Sequence, residues 1–204
     1  MNAPTSTMHY EVLKTLGDCH AALDQFDRAR AFYQEAAGLE PALIGHQIGL
    51  GVVDLLEGKV QEAAKVFGAV LQEDSHCPDA VWGMALVHWR QGDFASAATA
   101  GLQCVELLPD NQQALMGLFQ ACRKLGDFAT AAKLLELRLQ KHPGDTLAML
   151  CQAEIQSAAG QVEAARQSLL MVQALDPACA QARQMLANLP APAPTSPPRP
   201  PQPR

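Results

Sequence analysis

Clustered cations are missing from this sequence. Its 15 lysines and arginines are scattered and its formal net charge is −6. Binding to nucleic acid needs grouped cations to neutralise phosphates, so no nucleic-acid partner is expected. Long apolar runs are missing too. No stretch approaches the roughly 18 residues of a membrane span, so no membrane insertion is expected. Met1 to Met8 lacks a positive start followed by an apolar core, and no secretory signal is expected there. The chain has no glycine-rich phosphate loop, no H-E-x-x-H and no motif-placed carboxylate pair. No catalytic residue, enzyme activity or cofactor is therefore expected. None of the six cysteines forms a C-x-x-C pair. Reduced thiols in a cytoplasmic protein fit this usage best.

What is present is a period. Ala29, Ala63, Ala97, Ala131 and Ala165 stand 34 residues apart. Twelve residues after four of them comes Pro41, Pro109, Pro143 or Pro177, and Ser75 takes the remaining place. No insertion breaks the register from Tyr10 to Cys179. The units are 10–43, 44–77, 78–111, 112–145 and 146–179. A strict 34-residue period predicts stacked helical hairpins, each burying its apolar face on its neighbours. The register also rules out a metal site at His20 and His88, which lie two units apart, because zinc needs about four converging ligands. Cys77 and Cys179 are likewise separated by three units, far beyond disulfide reach.

Each column has a physical reason. Gly58, Gly92, Gly126 and Gly160 recur where a first helix must end and turn, with Asp24 in the first unit. Phe26, Val60, Phe94, Phe128 and Val162 open the second helices. Gly17, Gly51, Ala85 and Ala153 are small, so they are expected to face the alanine column. Phe119 breaks that series, and Gly101 stands where Tyr33, Phe67, Leu135 and Leu169 are large. The expectation is that the Phe119 ring moves into the space Gly101 leaves. Residues 180–189 continue the pattern for half a unit and should cap the array. Residues 1–9 are expected to be disordered. Eight of the last 15 residues, 190–204, are proline, predicting an extended or disordered tail.

Leu13, Leu16, Gly17, His20, Ala29, Tyr33 and Pro41 at these spacings resemble the tetratricopeptide repeat, and the resemblance covers about five-sixths of the chain. It implies an all-α, right-handed superhelical solenoid of five repeats closed by a capping helix. It also implies that first helices line a concave surface through the second, fifth, ninth and twelfth places of each unit. The fifth-place residues are Lys14, Ile48, Trp82, Met116 and Leu150. The ninth-place residues are Asp18, Val52, Leu86, Gln120 and Glu154, and the twelfth-place residues are Ala21, Leu55, Trp89, Arg123 and Ser157. Ile48, Val52, Leu55, Trp82, Leu86, Trp89 and Met116 would form one apolar patch, with Gln120 beside it. A soluble surface rarely leaves such a patch uncovered. Trp82 has a second reading: a one-place shift would bury it in the core beside Val81. Arg90, Arg123 and Lys124 would form a positive rim able to bind acidic groups. The carboxylate clamp of the chaperone-binding subfamily is absent: Lys14 matches, but Asp18, Gly49, Asp79 and Gly83 fill its other places.

The expected function is a non-enzymatic adaptor that holds a helical or extended apolar segment of a partner protein in the groove. The alternatives are a self-associating structural subunit or the scaffold partner of a separate transferase-type enzyme.

Overall fold

The computed structural model describes residues 3–190, and among them every regular element is a helix. The chain forms two compact units, Met1–Asp127 and Phe128–Arg204. The first holds α1 (Ala3–Ala22), α2 (Phe26–Leu39), α3 (Gly45–Leu56), α4 (Val60–Glu73), α5 (Pro78–Gln91), α6 (Phe94–Leu107) and α7 (Gln112–Leu125). The second holds α8 (Phe128–Lys141), α9 (Thr146–Ala158), α10 (Val162–Leu175) and α11 (Ala180–Asn188). No helix of the described residues is long and apolar enough to cross a membrane.

The turn column behaves as its composition requires. Gly58 and Gly92 have φ of +78°, Gly126 +73° and Gly160 +75°. Asp24 accepts the same left-handed conformation at φ +56°. Asp93, Asn111 and Asp145 then cap α6, α7 and α9, each accepting a hydrogen bond from the N–H three residues on. The second helices stop two residues short of Pro41, Pro109, Pro143 and Pro177. α4 stops at the same place before Ser75, so the helix end does not depend on the ring.

In the first unit, consecutive helices pack as hairpins, and the first helices α1, α3, α5 and α7 lie side by side. Two rings lock this stack. Tyr33 on α2 lies over Gly17 of its own hairpin and Gly49 of the next, and Phe67 on α4 lies over Gly51 and Gly83. A Cβ at Gly17 would fall 2.5 Å from the Tyr33 ring, and one at Gly51 2.7 Å from Phe67. At Gly17 and Gly51 the nearest neighbour is thus the ring one turn beyond the alanine of the same repeat. The alanines themselves are buried, with Ala29 and Ala63 at 0% exposure. Arg30 on α2 adds a polar tie, reaching Asp54 on α3 at 2.7 Å and also Glu57 at the α3 C-cap.

Two expectations change. The heavy atoms nearest a Cβ at Gly101 all belong to Leu118, at 3.1 Å for its Cβ and 3.4 Å for its Cα. Leu118 of α7, and not the Phe119 ring, thus lies nearest that space, and Phe119 is buried at 3% exposure. Residues 3–9 belong to α1 rather than to a disordered segment, since no glycine or proline from Thr5 to Leu16 interrupts the helix. The half-unit forms α11, with Ala182 buried against the α10 side of the core. The proline-rich tail lies, from residue 191 on, outside the described residues.

In the second unit, Asp145 both caps α9 and pairs with Arg138 at 2.6 Å, the two side chains being 6% and 8% exposed. Burial pushes the Asp145 carboxyl up, but the Ala148 N–H and the Arg138 guanidinium outweigh it and hold the pKa below the usual carboxylate value.

Three outcomes follow. Gly49→Ala should lower stability by about 1–3 kcal/mol, because its methyl meets a buried ring. Gly68→Ala, with open space at its Cβ, should raise stability by about 0.5–1 kcal/mol; urea unfolding measures both. A depressed carboxylate pKa contributes stability that is present above about pH 4 and lost as pH falls through the folded value. Asp145→Asn, which keeps a capping oxygen, should therefore be less stable than the native chain by about 3 kcal/mol at pH 7. In urea titrations the gap should close toward pH 2, and a gap unchanged there would contradict the assignment.

Candidate protein-binding face

The first helices of the first unit enclose a groove of about 430 Å³. α1 contributes Lys14, Asp18, Ala21 and Ala22, and α3 contributes Gly45, Ile48, Gly49, Val52 and Leu56. Asp79 comes from α5 and Tyr33 from α2. Six of these eleven residues, Lys14, Asp18, Gly45, Ile48, Val52 and Asp79, stand in the second, fifth or ninth places of their repeats.

Its floor is apolar and its α1 wall is an organised polar cluster. Lys14 Nζ donates to Asp18 Oδ2 at 2.8 Å, and Tyr33 OH donates to Asp18 Oδ1 at 2.8 Å. Burial first, and then the Asp18 hydrogen bond, push the Tyr33 pKa up, so the phenol stays protonated and donating. The Asp18 hydrogen bond raises the Lys14 pKa against the opposing effect of burial. Gly45 admits the Lys14 stem: a Cβ there would lie 3.2 Å from Lys14 Cδ.

The predicted residues separate into groups. Ile48 and Val52 line the groove. Leu55 does not: it is 5% exposed and packs in the core with Ala63 and Phe67. Leu55 lies one turn beyond Gly51, which faces the Phe67 ring, so it points at its own hairpin's second helix. Leu56, one place on and 48% exposed, lines the groove instead. Trp82 and Leu86 are half-buried one hairpin further along. The Trp82 ring lies over Gly117 of α7 and against the cluster of Val81, Cys104 and Ala114, so it has both surface and core contacts. Trp89, also in the twelfth place, turns toward its own hairpin and meets Phe94 edge-on at 5.0 Å. Met116 and Gln120 are half-buried, whereas Arg90, Arg123 and Lys124 are exposed. Lys124 Nζ stands 5.9 Å above the Phe94 ring, a cation–π contact tying α7 to α6.

The enclosed part of the face thus lies on α1, α3 and the start of α5, one hairpin before the tryptophans. Lys14 and Asp18 were legible as fifth- and ninth-place residues. Asp79 was legible as a second-place residue. Tyr33, which belongs to a second helix, carried no such signal. Burial pushes the Cys104 and Cys122 thiols up, so both stay protonated as core fillers.

Known proteins agree with this architecture. The sequence profile of the tetratricopeptide repeat matches residues 10–43, 54–111, 84–146 and 123–189. The chain is 30% identical over 139 residues to cellulose synthase 1 operon protein C of Komagataeibacter xylinus, covering 62% of this chain and 10% of that protein. The curated relatives it matches are much longer, and it spans 10% to 18% of their length. Among solved structures it is similar to PilF of Pseudomonas aeruginosa, with TM-score 0.72, 16% identity and coverage of 90% of this chain and 89% of that one. It is also similar to YrrB, a tetratricopeptide protein with an unusual peptide-binding site, with TM-score 0.63, 18% identity and coverage of 84% and 89%. The chain belongs to the tetratricopeptide-repeat family, whose stacked hairpins form protein-interaction scaffolds.

Proposed function

We propose that this chain is a non-enzymatic adaptor that holds a helical or extended apolar segment of a partner protein along its first helices. The observation that carries this reading is the groove of about 430 Å³, floored by Ile48, Gly49 and Val52 with Leu56 exposed at its edge. Trp82, Leu86, Met116 and Gln120 would extend the contact surface along α5 and α7. Trp89 and Leu55 would act from behind, holding the hairpins. Arg90, Arg123 and Lys124 would meet acidic groups at the rim. The face needs little rearrangement to receive a segment, because Gly17 and Gly49 already fix the ring beneath it. The adaptor would work in the cytoplasm, where thiols such as Cys104 and Cys122 stay reduced.

A second reading, self-association through α1, is favoured by one observation. Val12 and Leu16 are 50% and 38% exposed, whereas the same places in later repeats hold buried residues such as Ala80, Ala114 and Leu118. Light scattering tests it: self-association predicts dimers that Val12→Glu with Leu16→Glu abolishes, and a monomer at every concentration counts against it.

The adaptor reading is tested by Ile48→Arg with Val52→Arg. The double variant should keep its helical content and lose partner affinity by about 2 kcal/mol or more, roughly thirtyfold. Quantitative pull-down from the native cell, calibrated on the wild-type chain, measures the loss. Equal retention of the same proteins by both chains would remove the groove from the interaction.

A further inference from the structure

The groove has an apolar floor and two carboxylates, and they are not equivalent. Asp18 is fully engaged, with one oxygen on Lys14 and the other on Tyr33. Asp79, on the α5 side, is exposed and has neither a hydrogen bond nor an ion pair among the described residues. As the second residue of α5 it favours the helix dipole, and that role alone would be met by any exposed direction. Here the carboxylate also lines the groove. Lys14, the cationic residue of the groove, is paired with Asp18 and not with Asp79. Arg90, at the other end of α5, lies about 16 Å away by helix rise. That is beyond the Debye length of about 8 Å at physiological salt. A carboxylate without a cationic partner at the groove wall favours a cation and disfavours an anion. The net charge of −6 favours a cationic partner at long range as well.

We infer that the segment this groove holds is apolar and carries a lysine or arginine that seats against Asp79. The inference rests on the groove reading given above and adds the chemistry of the occupant. Apolar side chains would cover Ile48 and Val52, and the cation would fix the position of the segment along the groove.

The test uses random 15-residue peptides displayed on phage, selected in parallel on the full chain, on Asp79→Asn and on Val52→Arg. Selection on the native chain should enrich apolar residues together with lysine or arginine, the cations several-fold over the starting library. Asp79→Asn should keep the apolar enrichment and lose the cationic one, and Val52→Arg should lose both. Apolar peptides without a cationic bias, or with a bias that Asp79→Asn leaves unchanged, would overturn this inference and leave the groove reading standing. An absence of any enrichment that Val52→Arg abolishes would overturn the groove reading and this inference together. Circular dichroism of both variants confirms folding, and Val52 and Asp79 are exposed enough to be replaced without loss of the core.

Discussion

An aromatic ring on a second helix, seated over one glycine of its own hairpin and one of the next, is the contact on which the first unit depends. Tyr33 over Gly17 and Gly49, and Phe67 over Gly51 and Gly83, each fill the junction of three helices. Burying such a ring stabilises the fold by about 1.5–3 kcal/mol. Its larger effect is geometric. The glycines let the helix backbones approach within reach of the ring, and that approach sets α1, α3 and α5 side by side. The groove face is the other side of the same stack. Where the pattern changes, the packing changes with it: Gly101 carries no ring, α7 comes close through Leu118, and Trp82 from α5 covers Gly117.

This arrangement explains why the face is open to ligands while the hairpins stay closed. Place eight of every repeat, and place ten of all but the first, is buried. In the first four repeats, places five and nine are half-buried or exposed. In the first two units they hold Lys14, Asp18, Ile48 and Val52, a mixture of charge and apolar surface. Asp18 organises one wall by accepting from both Lys14 and Tyr33. The ring that locks the stack therefore also reaches into the groove through its hydroxyl, linking the packing of the repeat to the polarity of the face.

Much of this was legible in the sequence. The period gave the repeat register, and the left-handed turns at Gly58, Gly92, Gly126 and Gly160 followed from glycine's missing Cβ. The turn at Asp24 was legible as well, because aspartate tolerates that conformation. Other features were not legible, because they depend on distances between helices. Leu55 and Leu56 are equally apolar, and only the direction of the small eighth-place residue tells which of them is core. The gap at Gly101 could be seen, but the sequence does not show that Leu118, rather than the neighbouring Phe119 ring, would lie nearest it. The tryptophans drew attention to the middle of the array, whereas the groove volume lies beside Gly45 and Gly49, whose own Cβ space the Tyr10, Lys14 and Tyr33 side chains fill. A small residue is a weak sequence signal for a cavity.

The proposed contact surface is places five and nine of the first helices, and not the exposed second helices. Methyl NMR of the full chain with a bound apolar peptide is its sharpest test. Binding there should shift the Ile48, Val52, Leu56 and Leu86 methyls and leave Val53 and Val70 in the core nearly unmoved. Shifts centred on Leu170 and Leu175 of α10, with Ile48 and Val52 unchanged, would contradict it.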